Sequence, residues 1–420
     1  MAPGGRYGCG LAQTVRRSAR RLRRGAVALA VAAGGLWAAP AASADRAGHH
    51  HHPREPEAEP RPPLSLDVAY TAELWRAAAG GGRRGTRHLD NVDVIAAADL
   101  ERVVGWEGAD ARVYALYDNG ASLSGLMGDA QVASNIETGV RAVRLYEAWL
   151  NQRIGAETSI KAGLYDLNSE FDVLETGALF VGSAHGIGTD FGQSGRNGPS
   201  IFPVTALALR VERRFANGWA LRAAVLDGVP GDPARPRRTV VRLGRGDGAL
   251  LVGEAEAPLG DGKLLFGAWR YTAAFDRFDG TSGRGNGGMY LRAEHHLTHE
   301  GGDPEQGLAG FVRFGAADGR INMFGRFASA GLTYTGAVAG RDEDQVGVAL
   351  ATAVTSRAYR RATGADRAET AFELTYRASL TPWLSIQPNM QYVLNPGADP
   401  ALAPALAFGL RVEFAWRVIR

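Results

Sequence analysis

The chain has almost no cysteine. Its 420 residues contain one, Cys9, in an N-terminal segment that we expect to be removed. The rest of the chain has no thiol, which excludes a disulfide scaffold, a cysteine-ligated metal and thiol catalysis. Long apolar runs are also missing, because no stretch beyond that segment approaches the ~18 consecutive apolar residues of a membrane-spanning helix. If this chain crosses a membrane, it does so with strands.

Acidic residues are absent from residues 1–44, which contain seven arginines. The arginines precede an apolar stretch at 26–36 and an A-x-A cleavage signal at 42–44, so we predict a signal peptide over 1–44. Losing seven arginines turns the formal net charge from +3 into −4. We therefore expect no nucleic acid among the partners.

Large apolar residues are nearly absent from residues 45–63, which are rich in Pro, Glu, Arg and His. This composition predicts a disordered linker. The four consecutive histidines at 49–52 can attract a metal, but a solvated low-complexity tract is the expected interpretation, and we assign no metal site. Residues 64–420 contain no second linker and are expected to form one domain.

Alternation of apolar and polar residues dominates residues 64–420. The last segment places six bulky apolar residues on one face: Leu406, Phe408, Leu410, Val412, Phe414 and Trp416. Small or charged residues, including Arg411 and Glu413, occupy the other face, which therefore needs water. The recurrence of this pattern predicts an all-β fold, a transmembrane antiparallel β-barrel with lipid outside and a wet lumen inside.

About sixteen segments have this strand periodicity. We expect them near 65–76, 88–101, 109–118, 140–151, 157–165, 203–214, 218–227, 248–257, 262–273, 288–298, 306–315, 328–338, 345–356, 369–380, 383–393 and 404–416. Short turns are predicted at 215–218, 259–262 and 381–382, and long loops at 119–139, 166–202, 228–247 and 274–287. Alternating short and long connections are typical of outer-membrane barrels, whose short turns face the periplasm together with both chain ends. Trp219, Trp383 and Trp416 lie at strand ends and predict an interfacial aromatic girdle.

The connection at 166–202 is the candidate functional segment. It is too long for a structureless loop in a compact domain, and it contains apolar residues such as Phe171 and Phe191. We therefore expect it to fold back into the barrel and narrow the lumen, with a short helix after Asp166. A sixteen-strand barrel otherwise leaves an open channel, so the loop and the facing wall would set selectivity.

Polar residues of this loop and the wall are the candidates for solute contact. The loop candidates are Asp166, Asn168, Glu170, Asp172, Asp190, Gln193, Arg196 and Asn197, and the wall candidates are Arg144, Glu147 and Arg210. Mixed carboxylates, amides and guanidinium groups suit a neutral polyhydroxyl solute, since they exchange hydrogen bonds with hydroxyls without a net field. For any one of them, holding the loop in place is an equally good interpretation.

Signals of catalysis are weak. His295 and His299 have i, i+4 spacing, but at a strand end this places them about 13 Å apart, and no glutamate completes a zinc motif. There is no phosphate-binding loop and no nucleophile elbow. We expect neither an enzyme nor a cofactor.

Several motifs between about 140 and 416 resemble a known family. They are RLYEAWL at 144–150, AGLYDLNSEFD at 162–172, GIGTDF at 186–191, GQSGRNGPSIFP at 192–203, GRDED at 340–344, ELTYR at 373–377, PWLSIQP at 382–388 and YVLNP at 392–396. Together they are similar to the OprB-type carbohydrate-selective porins of Gram-negative outer membranes. The resemblance implies passive uptake of sugars such as glucose through a sixteen-strand barrel.

One departure from that family concerns the last residues. Such porins usually end on an aromatic residue that is recognised by the barrel-assembly machinery, the expected partner during biogenesis. Here residues 417–420 follow Trp416. Sugars and outer-membrane lipid are the other expected partners, and monomer and trimer both stay open. The alternatives to a sugar-selective porin are a general diffusion porin, an outer-membrane barrel enzyme and a secreted soluble β-rich binding protein.

Overall fold

The computed structural model describes residues 62–300, 303 and 305–419; the predicted signal peptide and nearly all of the predicted linker lie outside this part. Within it, sixteen strands form one closed barrel in which each strand pairs antiparallel with its sequence neighbours. The strands are β1 Leu64–Gly81, β2 Gly85–Asp99, β3 Ala109–Asp118, β4 Ala142–Ile154, β5 Thr158–Tyr165, β6 Ala206–Arg214, β7 Ala220–Asp227, β8 Ala249–Leu259, β9 Gly262–Asp276, β10 Ser282–His296, β11 Gly307–Ala317, β12 Phe324–Thr335, β13 Gln345–Thr355, β14 Ala368–Thr381, β15 Leu384–Leu394 and β16 Ala403–Ile419. The predicted fold class is confirmed.

The barrel closes where β1 pairs with β16. Leu66 lies opposite Ile419, and Asp67 lies opposite Arg417, whose Nε is 2.8 Å from an Asp67 carboxylate oxygen. Residues 417–419, which follow the last tryptophan of the sequence pattern, are therefore part of the closing strand pair.

The two faces of the strands separate as the sequence predicts. On β16, Phe408, Leu410 and Trp416 are 43–47% exposed on the outside, whereas Arg411 and Glu413 are 3% and 5% exposed on the inside. In a closed sheet the backbone N–H and C=O groups bond to each other and need no water, as spanning a bilayer requires. The apolar outer face suits lipid, and the charged inner face suits a wet lumen.

Each predicted strand segment corresponds to one of the sixteen strands, but the long loop predicted at 274–287 is wrong. Strand β9 continues to Asp276, and β10 begins at Ser282. The distal part of β10 is rich in glycine and shows no apolar alternation, so strand periodicity does not predict it. Backbone pairing with β9 nevertheless continues there across a bulge between Arg284 and Asn286.

The two ends of the barrel differ. We call the end with both chain termini the terminal rim and the opposite end the distal rim. Trp219, Trp383 and Trp416 are 44–46% exposed at the terminal rim, where the sequence places them, and Trp106 joins them at 49%. Indole rings prefer this interfacial level because they combine an apolar body with one N–H donor.

The helices are short: α1 Leu100–Val104, α2 Ser124–Met127, α3 Thr189–Gly192 and α4 Arg357–Thr363. Among the described residues, none of the helices has the length and apolar character to cross a membrane. Three connections at the distal end are long: the β3–β4 loop (residues 119–141), the β5–β6 loop (residues 166–205) and the β7–β8 loop (residues 228–248). The sequence predicts all three, and the first two contain helical turns.

Candidate functional site

The β5–β6 loop begins with a capped turn. Asp166 accepts a hydrogen bond from the Asn168 backbone N–H at 2.8 Å, and a 3₁₀ helix follows over Leu167–Ser169. The sequence predicts a short helix here; the structure has one 3₁₀ turn, capped by Asp166 itself. Further 3₁₀ turns cover Thr176–Leu179 and Ser183–His185, and α3 follows.

A buried ion-pair cluster anchors this loop to the far wall. Arg313 on β11 donates from Nε to Asp172 Oδ1 at 2.9 Å and from Nη2 to Asp172 Oδ2 at 2.7 Å, while its Nη1 lies 2.7 Å from Asp190 Oδ1. All three side chains are 0% exposed. Asp172 and Asp190 are predicted to contact solute, but the structure places them where no solute in the lumen reaches them.

Two glycines make room for this cluster. A Cβ on Gly188 would lie 2.1 Å from Arg313 Nη1, and a Cβ on Gly315 would lie 2.1 Å from Asp190 Oδ2. Arg313 cannot swing away, because it is fully buried and held by two carboxylates. Close packing at the anchor therefore explains Gly188, the second glycine of the GIGTDF motif.

Apolar contacts seat the same loop against the wall. The Phe191 ring stacks on Trp269 of β9, with ring centroids 5.0 Å apart and an interplanar angle of 7°. Phe171 and Leu167 are 0% exposed in the same cluster. The loop therefore packs on inward-facing side chains, as its apolar content predicts.

Wall side chains also bind the loop backbone. Glu254 accepts the Asp172 N–H at 2.8 Å, Glu294 accepts the Thr176 N–H at 2.6 Å, and Glu373 accepts the Val181 and Gly182 N–H groups at 2.6 and 2.9 Å. A loop inside a barrel has few backbone partners of its own, so these carboxylates supply the acceptors that burial demands.

The β3–β4 loop is held inside the barrel in the same way. Glu369 of β14 accepts the N–H groups of Ala130 and Gln131, both at 2.8 Å, and the Ser134 hydroxyl donates to Glu73 of β1 at 2.7 Å. The sequence predicts this connection to be long but gives it no role. Its buried Leu126 and Met127 are the signal that could have indicated inward packing.

Glu170 is the loop candidate beside β5 and β6 that water partly reaches. Its carboxylate lies 2.7 Å from Lys161 Nζ and 2.6 Å from Arg210 Nε, and it accepts the Tyr165 hydroxyl at 2.6 Å. The Glu170 side chain is 18% exposed. Burial opposes its charge, but Lys161 and Arg210 hold the pKa of Glu170 well below its usual range.

The remaining wall candidates lie beside this cluster. Arg144 pairs with Asp118 of β3, and Glu147 lies 3.9 Å from Arg112 Nη1 and accepts the Asp166 N–H at 3.0 Å. Burial and the neighbouring Glu147 raise the pKa of Asp166 to about 8. The structure thus brings Asp166, Glu170, Glu147 and Arg210 together on one side of the lumen. Arg144 lies nearer the distal rim, where it also donates to the Pro236 carbonyl at 2.8 Å.

Three loop candidates lie apart from this group, toward the distal rim. Arg196 donates to the carbonyls of Gly246 and Ala274 at 3.0 and 2.7 Å, and Asn197 donates to Pro230 at 2.7 Å. The Gln193 amide donates to the carbonyl of Ala130. These exposed side chains join the β5–β6 loop to neighbouring loops. Asn168, by contrast, is buried and donates to the Phe171 carbonyl at 3.0 Å.

Sequence reasoning missed two cations at the open side of the loop, Arg112 and Lys161. Arg112 is 21% exposed and Lys161 is 9% exposed, and Lys161 Nζ lies 4.1 Å above the centre of the Trp149 ring. Both residues face inward on β3 and β5, so strand parity combined with charge could have found them.

Metal ligation has no support in the described part of the chain, where no group of three or more His, Cys, Asp or Glu side chains could hold an ion. His299 lies 3.4 Å from Asp261 at the terminal rim. His185 of the β5–β6 loop is fully enclosed, and burial lowers its pKa to about 4.

Comparison with known proteins gives consistent results. A family model described as the carbohydrate-selective porin, OprB family, matches residues 83–416. Porin B of Pseudomonas aeruginosa is 24% identical over 378 residues, covering 78% of this chain and 81% of that protein.

Solved structures show the same fold. The high-pH structure of OprB from Pseudomonas putida superimposes with a TM-score of 0.73 at 21% identity, covering 84% of this chain and 94% of that chain. The outer-membrane channel DcaP of Acinetobacter baumannii gives a TM-score of 0.53 at 9% identity, covering 84% and 96%. Because the family model spans most of the sequence, this chain belongs to the carbohydrate-selective porin family, OprB.

Proposed function

We propose that neutral sugars cross the outer membrane passively through this barrel, past the side chains around Glu170. Membership of the family makes the protein an outer-membrane carbohydrate porin. The proposal adds the route, the residues along it and the reason for sugar preference.

The observation that carries the proposal is the pairing of charge at the open side of the β5–β6 loop. Lys161 and Arg210 face Glu170, and Arg112 faces Glu147. Such a wall offers many hydrogen-bond donors and acceptors but little net field. A neutral polyhydroxyl solute exchanges water for these groups at small cost, whereas an ion of either sign gains no advantage.

Anchoring of the loop supports a fixed aperture. Arg313, Glu254 and Glu373 hold the side of the loop that faces β8–β15, which leaves Glu170 toward β3–β6. Since the loop is held at several points, the proposed constriction has one geometry and needs no gating step. Within this proposal Asp172 and Asp190 position the loop, whereas Glu170, Arg210, Lys161 and Arg112 meet the solute.

The proposal requires no catalysis and no cofactor, because a sugar moving down its gradient undergoes no chemical change. We also propose that residues 1–44 direct export, that residues 45–63 form a periplasmic linker and that the terminal rim faces the periplasm. The short turns at that rim support this orientation.

Liposome swelling tests the proposal. Mature protein refolded into phospholipid vesicles should admit glucose quickly, and a larger oligosaccharide or a charged solute of glucose size more slowly. Equal entry of the small solutes would favour a general diffusion pore. No swelling by correctly folded protein would contradict passive transport and return attention to a barrel enzyme.

A further inference from the structure

Three arginines occupy the outward face of the barrel near the distal rim. Arg270 lies on β9, Arg284 on β10 and Arg326 on β12, and all three are exposed. Trp269 and Phe327, next to Arg270 and Arg326 on their strands, are buried inside at 3% exposure each. Phe275, next to the Ala274 that pairs with Arg284, is buried inside at 7%. Because side chains alternate along a strand, these arginines point toward the membrane and not into the lumen.

The sheet register places the three arginines in one patch, since Arg284 pairs with Ala274, four residues beyond Arg270 on β9. Across the sheet, Arg326 of β12 lies level with Ala316 of β11, Met289 of β10 and Ala268 of β9. Arg270 lies two residues beyond Ala268 on β9. From ordinary strand spacing and rise, the Cα atoms of Arg326 and Arg270 are about 16 Å apart, a span that two arginine side chains can bridge.

Arg270 also reaches toward the rim. Its Nη2 lies 2.9 Å from the point that a Cβ on Gly285 would occupy, so the guanidinium group lies beside the residue that follows Arg284. Arg270 has extended along its strand away from the apolar belt, as charged side chains do when they reach for an interface.

None of the three arginines forms an ion pair with a carboxylate in the described ranges, although Asp276 is exposed at the end of β9. The terminal rim provides the contrast. There the outward-facing Arg213 of β6 has Glu157 at 2.9 Å. The protein thus supplies a carboxylate for Arg213 but none for Arg270, Arg284 or Arg326 within the described ranges.

We propose that Arg270, Arg284 and Arg326 bind the phosphate groups of an anionic lipid in the leaflet that surrounds the distal rim. Guanidinium groups match phosphate through paired N–H donors, and basic side chains at a membrane interface recognise anionic headgroups. Below them, Met289, Phe314 and Leu291 are 55%, 56% and 43% exposed on the same face. A lipid can place its phosphates on the arginines and its acyl chains on these apolar residues, which a free phosphate ion cannot do.

The test titrates the refolded mature barrel in detergent micelles with diphosphoryl lipid A and follows the heat-induced loss of the compact band in gels. Dephosphorylated lipid A and inorganic phosphate serve as comparison probes. The variant is R270Q/R284Q/R326Q, and R270K/R284K/R326K keeps the charge. The matched control, R102Q/R153Q/R213Q, removes three exposed arginines at the terminal rim.

Diphosphoryl lipid A should raise the unfolding temperature of the parent barrel, the control and the lysine variant. The glutamine variant should need at least roughly tenfold more lipid for the same rise. An equal response of the glutamine variant would overturn the proposal, as would an equal effect of dephosphorylated lipid A or of inorganic phosphate. If the glutamine variant does not fold, the three single substitutions replace it, and unchanged lipid dependence in all of them would have the same meaning.

Discussion

Arg313 and Asp172 are 141 positions apart in the chain, yet they meet in a two-pronged ion pair with no exposed surface. The pair joins β11 to the β5–β6 loop across the interior of the barrel. Asp172 takes part with a φ of 56°, and its N–H donates to Glu254 at 2.8 Å. Aspartate tolerates this left-handed backbone better than most residues, so one residue both turns the chain and anchors it.

Removing the arginine should release the loop. In Arg313→Met, Asp172 and Asp190 lose their ion-pair partner while they stay buried, at a cost of about 3–5 kcal/mol. We expect easier urea unfolding and a higher, noisier single-channel conductance in planar bilayers. Conductance and unfolding equal to the parent protein would show that Arg313 does not hold the loop.

Adding one methyl group at the anchor should have a related effect. In Gly315→Ala, the new Cβ would lie 2.1 Å from Asp190 Oδ2, so the Arg313 cluster must shift. Overpacking of this kind costs about 1–3 kcal/mol. Gly253→Ala is the matched strand control, since its Cβ would meet nothing closer than 3.9 Å. Similar urea midpoints for the two variants would argue against a tight anchor.

The sequence predicts the barrel well because its signal is local. Alternation along each segment, as in Phe408 to Trp416, depends only on whether a side chain faces lipid or lumen. It locates all sixteen strands but misses the glycine-rich distal part of β10. The Arg313–Asp172 pair cannot be read in this way, since it depends on where two distant segments meet across the lumen. A prediction based only on which residues are polar therefore named Asp172 and Asp190 as solute contacts. It did not identify Arg313 or Lys161.

Neutralising Glu170 should change ion selectivity. In Glu170→Gln, Lys161 and Arg210 lose their carboxylate partner, and the constriction gains one positive charge. A unit charge about 5 Å from a passing ion in water contributes about 0.8 kcal/mol, which favours an anion roughly fourfold and disfavours a cation by the same factor. Reversal potentials across a KCl gradient measure this preference, and glucose flux should change as well.

The control for this charge change is Glu157→Gln, which removes a carboxylate that pairs with Arg213 outside the lumen. It should leave the reversal potential unchanged. An identical reversal potential for Glu170→Gln and the parent protein would remove Glu170 from the proposed solute path.

Two glutamates of β14, Glu369 and Glu373, hold different loops, so a variant of each serves as the control for the other. Glu369→Gln weakens the acceptor for the Ala130 and Gln131 N–H groups, and Glu373→Gln does so for Val181 and Gly182. A hydrogen bond to a charged group contributes about 1.5–3 kcal/mol, so peptide-resolved hydrogen exchange should speed up by roughly tenfold or more. Each variant should affect its own loop, and faster exchange of both loops in both variants would mean general loosening.

The pH dependence of stability should identify Asp166. Burial and Glu147 raise its pKa from 3.8 to about 8, so the folded protein holds a proton that the unfolded chain releases. Stability from this carboxyl group is complete below pH 3.8 and is lost as pH rises through 8. Relative to Asp166→Asn, the parent protein should therefore lose stability between pH 4 and pH 8, as followed by tryptophan fluorescence during urea unfolding.

His185 supplies the comparison of opposite sign. Burial lowers its pKa from 6.5 to about 4, so its contribution is complete above pH 6.5 and is lost as pH falls through 4. Relative to His185→Gln, the parent protein should lose stability toward low pH, the reverse of the trend for Asp166→Asn.

A constant difference between the parent protein and Asp166→Asn from pH 4 to pH 8 would mean that Asp166 is already ionised in the folded barrel. Asp166 would then add one negative charge beside Glu147.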